Sequence, residues 1–130
     1  MTNVRDKMVF EEDLKMIVRA VVHTNGMQEE LQKITFPIKD VIVGISKHTN
    51  YVTISMQGER TLDVKVIPLK VVELNKSYTF RLPADKIMHL LDCLSKGQVA
   101  SIEYNIETGM VCVASYNFNT NEFFMASTED

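Results

Sequence analysis

The sequence predicts an α+β domain in which two short helices pack on one face of a twisted, mostly antiparallel sheet. Three observations predict it. After Pro37 apolar residues recur at every second position in segment after segment, the period of a half-buried strand. At two places, Glu11–Val22 and Asp85–Ser95, the period lengthens to that of an amphipathic helix. Turn residues punctuate the strand segments at Lys47-His48-Thr49-Asn50, Gly58-Glu59, Glu107-Thr108-Gly109 and Phe118-Asn119-Thr120-Asn121.

Taken in order, a strand is expected over Val4–Phe10. Phe10, Leu14, Ile17, Val18 and Val21 then form one helical stripe, with Glu11, Glu12 and Asp13 at the positive N-terminal end of that helix. It fades near His23-Thr24-Asn25-Gly26, and Met27–Lys33 reads as a loop or a turn of helix. Strands are expected over Asp40–Ser46, Tyr51–Gln57 and Thr61–Ile67. In the second, Val52, Ile54 and Met56 face opposite to Tyr51, Thr53 and Ser55; in the third, Leu62, Val64 and Val66 share a face and Pro68 ends the run. Leu69–Lys76 reads as a charged connector.

The most informative stretch is Ser77–Gly97. Tyr78–Leu82 alternates as a strand and stops at Pro83, a residue suited to a helix start because it has no N–H to leave unpaired. Ile87, Leu90, Leu91 and Leu94 then fall at i, i+3, i+4 and i+7, and Gly97 sits where a left-handed helix stop belongs. A hairpin of Gln98–Ile106 and Met110–Asn117 follows, then a last strand at Glu122–Ser127. The expected core includes Leu14, Ile17, Val18, Ile87, Leu90, Leu91 and Leu94. No internal repeat is visible in the sequence, and residues 1–130 read as one domain.

The 45% apolar and 24% charged residues are those of an ordinary globular domain. No apolar run approaches the length of a membrane span and no apolar signal core follows the N-terminus, so no membrane partner is expected and the cytoplasm is the expected compartment. The net charge of −3 disfavours a surface that coats nucleic acid all over, while leaving room for a local basic face. Cys93 and Cys112 read as packed thiols, and His23, His48 and His89 lack neighbours at ligand spacing, so neither metal nor cofactor is expected. The five glycines are isolated and build no phosphate loop, and no nucleophile or paired-histidine motif is present, so no enzyme is expected.

Lys7-Met8-Val9-Phe10 with Leu14, Tyr78–Leu94, and Ser115-Tyr116-Asn117 through Phe123, Phe124 and Ser127–Asp130 together resemble one domain of a DNA sliding clamp. The resemblance is greatest to the N-terminal domain of the bacterial DNA polymerase III beta subunit, and it covers roughly Met8–Asp130. It implies a processivity factor that encircles duplex DNA without reading sequence and tethers a DNA polymerase or other replication proteins. Family rings comprise six such domains, so a single domain implies a homo-oligomeric ring, a fragment of a longer chain, or a module reused for protein interaction alone.

In that family the helices line the hole, and cationic side chains on them touch phosphates. The residues at matching places are Lys15, Arg19 and His23 on the first helix and Lys86, His89 and Lys96 on the second. A solvated helix face explains such residues equally well, and acidic neighbours offset them. The first helix sums to −1 and the segment Asp85–Lys96 to zero. Phe118, Phe123 and Phe124 read as core rather than as a docking surface.

Overall fold

The computed structural model describes residues 15–129. The strand expected over Val4–Phe10, the helix opening at Glu11–Leu14 and the expected core position of Leu14 lie outside them. The described elements are β1 (Ile17–His23), α1 (Met27–Gln32), β2 (Asp40–Ile45), β3 (Tyr51–Gln57), β4 (Val64–Leu74), β5 (Tyr78–Pro83), α2 (Ala84–Ser95), β6 (Val99–Asn105), β7 (Val111–Asn117) and β8 (Glu122–Ser127). The strands form one antiparallel sheet in the order β5-β2-β3-β4-β1-β6-β7-β8. The sheet curls. Tyr104 on β6 stacks on Phe80 of β5 at 4.2 Å between ring centroids, although four strands separate them in the order.

The expected first helix is corrected over Ile17–Val22, which is strand. The segment Ile17-Val18-Arg19-Ala20-Val21-Val22 satisfies both periods, since Ile17, Val18 and Val21 suit a helix stripe while Val18, Ala20 and Val22 alternate. Its β-branched residues favour the extended form, and strands on both sides complete its hydrogen bonds. Val18, Ala20 and Val22 are fully buried, whereas Ile17 is only half-buried. The helix of this half is α1, in the segment that reads equally as loop or helical turn. Gly26, at φ 81°, precedes it, and Met27 anchors it in the core.

A second correction concerns β4, which runs straight through Pro68 into the expected connector. Val71 N–H donates to Asn50 O at 2.7 Å, so odd-numbered residues of β4 up to Val71 bond towards β3. Pro68 therefore has its missing N–H on the side away from β3, where a strand tolerates proline. The pairing sets the faces as well. Lys65, Ile67 and Leu69 stand opposite Met56, Ile54 and Val52 and point inward. Leu62, Val64 and Val66, the apolar residues that alternation groups on one face, are exposed.

The element order is one β-α-β-β-β unit written twice, a structural repeat that the sequence hides. Units β1–β4 and β5–β8 exchange their first strands, so that β5 joins β2-β3-β4 and β1 joins β6-β7-β8. Both helices lie on the inner side. Met27 shares the core with Ile87, Leu90, Leu91 and Leu94 of α2, and with Val43, Ile54, Ile102 and Val113 from both halves of the sheet. The expected burial of Val18, Ile87, Leu90, Leu91 and Leu94 is observed.

A polar tie joins α1 to the sheet. Glu30 on α1 accepts from Lys65 on β4 at 2.5 Å and from Lys33 at 3.2 Å. Hydrogen bonding to Lys65 first, then to Lys33, holds the Glu30 carboxyl below its ordinary value of 4.5. A carboxyl lowered in the folded state stabilises the fold above its unfolded value, and that contribution is lost as pH falls through the folded one. Wild type should lose stability on acidification below about pH 4.5 more steeply than Lys65→Met. Chemical-denaturation midpoints measured against pH for the two proteins check this. Asp63, lowered in the same direction by Arg60, is common to both and cancels in the difference.

Candidate nucleic-acid interface

The exposed face of α2 carries three of the six expected contact residues. The helix starts at Pro83, whose φ of −65° and ψ of 151° place it at the N-cap, and carries Asp85 in its first turn. Ile87, Leu90, Leu91, Cys93 and Leu94 are buried, which leaves Asp85, Lys86, His89, Asp92 and Lys96 outward. Gly97 follows without adopting the left-handed conformation expected of it, since Gly26 and Gly109 are the glycines with positive φ among the described residues. Its carbonyl instead accepts from the buried Thr24 hydroxyl at 2.7 Å.

The six expected contact residues do not form one surface. Lys86, His89 and Lys96 lie together on α2. Arg19 and His23 sit at exposed positions of β1, alternating with the buried residues that face the helices, and so occupy the outer side of the sheet. The helix expected to carry them inward is absent over Ile17–Val22. Arg19 is paired there with Glu103 at 3.4 Å. Lys15 is exposed just before β1, and its carbonyl accepts from the Lys76 ammonium.

On α2 two of the three side chains already have partners. His89 Nε2 lies 2.8 Å from Ser127 O at the end of β8. Lys96 is 3.5 Å from Asp92 and sits over the Phe124 ring, 5.3 Å from its centroid. Lys86 is exposed and makes no ion pair among the described residues. α1 adds Glu29 and Glu30 and no basic residue. Between the helices Leu31, Ile34, Phe36, Ile38, Met88 and Leu91 line an open groove of about 430 Å³.

The open sheet edges at β8 and β4 have no sign in the sequence. On β8, Thr128 N–H donates to Val111 O at 3.0 Å, so the backbone groups of Phe123 and Met125 point away from β7. Their side chains are 61% and 73% exposed, and Phe118 is 60% exposed, which corrects the expectation of core for Phe118 and Phe123; Phe124 is partly buried. On β4 the first half has β3 on one side only; even-numbered Val64 and Val66 lie on its open side, where Val64 N–H donates to Leu62 O at 3.0 Å and Pro68 interrupts the run. Edge status depends on which distant strand pairs with which, and local alternation does not encode that.

Cys93 and Cys112 are unlinked, and burial pushes the Cys93 thiol up. No group of His, Cys, Asp and Glu among the described residues could hold a metal ion, and no described helix is long and apolar enough to cross a membrane. Comparisons with protein-family models, with curated proteins and with solved structures find no match to this chain.

Proposed function

We propose that this chain is a sliding-clamp-like accessory of DNA replication, without enzymatic activity, which tethers a DNA polymerase or another replication protein to duplex DNA. The observation that carries the reading is the doubled β-α-β-β-β arrangement, with both helices on the inner side and open edges at corresponding strands, β4 and β8. Pairing of β8 from one copy with the first half of β4 in the next would extend the sheet outside and carry the helices inside. Such a contact is head-to-tail, and it makes a closed ring when its rotation closes. Exposed Val64 and Val66 on one edge and Phe123 and Met125 on the other supply apolar surface to bury on association.

In this reading Lys86, His89 and Lys96 face phosphates on the inner side, without base preference. Arg19 and His23 belong to the outer surface. Light scattering of the wild-type chain should give a mass near six times that of one chain, and Phe123→Lys/Met125→Lys should give that of one. A monomeric wild type would count against the ring.

The groove between the helices and the near-neutral charge of α2 favour a second reading, a clamp-shaped interaction module that binds a replication or regulatory protein without encircling DNA. The two readings separate on retention by closed circular DNA.

A further inference from the structure

β5 lies at one end of the sheet order, beside β2 and no other strand among the described residues. Its counterpart in the repeat, β1, is flanked on both sides, by β6 and by the last residues of β4. The registers align the two strands residue by residue. Val22 pairs with Ala100 as Leu82 pairs with Val41, so Val18, Ala20 and Val22 correspond to Tyr78, Phe80 and Leu82. By the same offset Arg19 and Val21 correspond to Thr79 and Arg81.

Hydrogen bonds give both strands the same polarity. Thr24 N–H donates to Gln98 O at 2.9 Å, and Ala84 N–H donates to Lys39 O at 2.9 Å. Even-numbered residues thus bond towards β6 and β2, and odd-numbered ones turn the other way. On β1 that other side is filled: Asn75 N–H donates to Arg19 O at 3.1 Å, Glu73 stands opposite Val21 and Leu74 opposite Ala20. On β5 the backbone groups of Thr79 and Arg81 have no strand beside them among the described residues.

We infer that the open side of β5 is a seat for a short antiparallel strand of aliphatic and acidic character from a partner protein, added as Val71–Asn75 adds to β1. Three features define the occupant. The seat is short, because Pro83 has no N–H to continue it. Its inner side adjoins Tyr78 and Leu82, partly buried against the core, and takes aliphatic side chains as β1 takes Val71 and Leu74. Its outer side carries Arg81, which is exposed and makes no ion pair or side-chain hydrogen bond among the described residues. The place opposite Arg81 corresponds to that of Glu73, so a carboxylate there meets an unopposed guanidinium. None of this rests on the clamp reading; it needs only the sheet and its repeat.

The test uses the isotope-labelled full chain and a blocked synthetic peptide, Leu-Lys-Val-Val-Glu-Leu-Asn, copied from residues 69–75. At saturating peptide the amides of Thr79 and Arg81 should exchange about tenfold more slowly, while those of Phe80 and Leu82, already bonded to β2, should not change. A peptide with the Glu73→Lys change should bind more weakly to wild type and more tightly to the Arg81→Glu chain. No protection of Thr79 and Arg81 at millimolar peptide would overturn the assignment. Protection of Phe123 and Met125 instead, or equal affinity for the two peptides, would overturn it as well.

Discussion

Leu91→Ala is expected to lower the stability of the fold by about 2–5 kcal/mol, the range for truncating a buried leucine. Leu91 is 1% exposed. It stands where α2 meets both halves of the sheet, among Val43, Ile54, Phe80, Ile102 and Val113. Those neighbours are held by two sets of strand ladders and cannot collapse into the space a lost isobutyl group leaves. The cost should therefore fall in the upper part of the range, a large share of the roughly 5–15 kcal/mol that holds a domain together. Urea denaturation should show a lower midpoint with an unchanged slope. An unchanged midpoint would mean that α2 presents a different face to the sheet.

Gly97→Ala should cost about 3 kcal/mol, near the top of what forced overpacking does. A Cβ placed on Gly97 would lie 2.5 Å from Tyr116 O and 2.7 Å from Tyr116 N, which are backbone atoms of β7. They cannot retreat freely, because Gln98 N–H donates to Tyr116 O at 3.0 Å and fixes β6 against β7 there. Gly26→Ala provides the contrast. Gly26 has φ +81°, and a methyl group there would meet nothing within 4 Å, so only the left-handed backbone penalty of about 1–2 kcal/mol applies. Thermal or urea unfolding of the two variants should rank Gly97→Ala as the more damaging. The reverse order would remove close approach as the reason for glycine at position 97.

Much of the fold is legible in the sequence because local period and burial agree wherever one face of an element meets the core. β3 has the bounds and the facing that alternation predicts, and α2 begins one residue before its expected start, directly after Pro83. β1 escapes such a reading because a β-branched, apolar-rich segment fits both periods, and only its pairing with β4 and β6 decides between them. β4 outruns its expected end because a proline signals a stop unless the strand lacks a neighbour on the side of the missing N–H. The same limit applies to the candidate site. The cations of α2 follow from helical spacing, but Arg19 and His23 have no place until β1 is known to be a strand. The edges at β4, β5 and β8 are properties of strand order and have no local signature at all.

Retention on DNA of different topology tests the central claim most directly. The chain is loaded onto nicked circular duplex and onto the same duplex made linear, and dissociation is followed at two salt concentrations. A clamp stays on the closed circle and leaves the linear form by sliding off its ends. Its residual affinity for linear DNA should weaken with salt, and Lys86→Ala/Lys96→Ala should lower the log–log slope by about 0.9 for each phosphate contact removed. Equal dissociation from circle and line, or any preference for a base sequence, would contradict encirclement and leave the interaction module as the function of this fold.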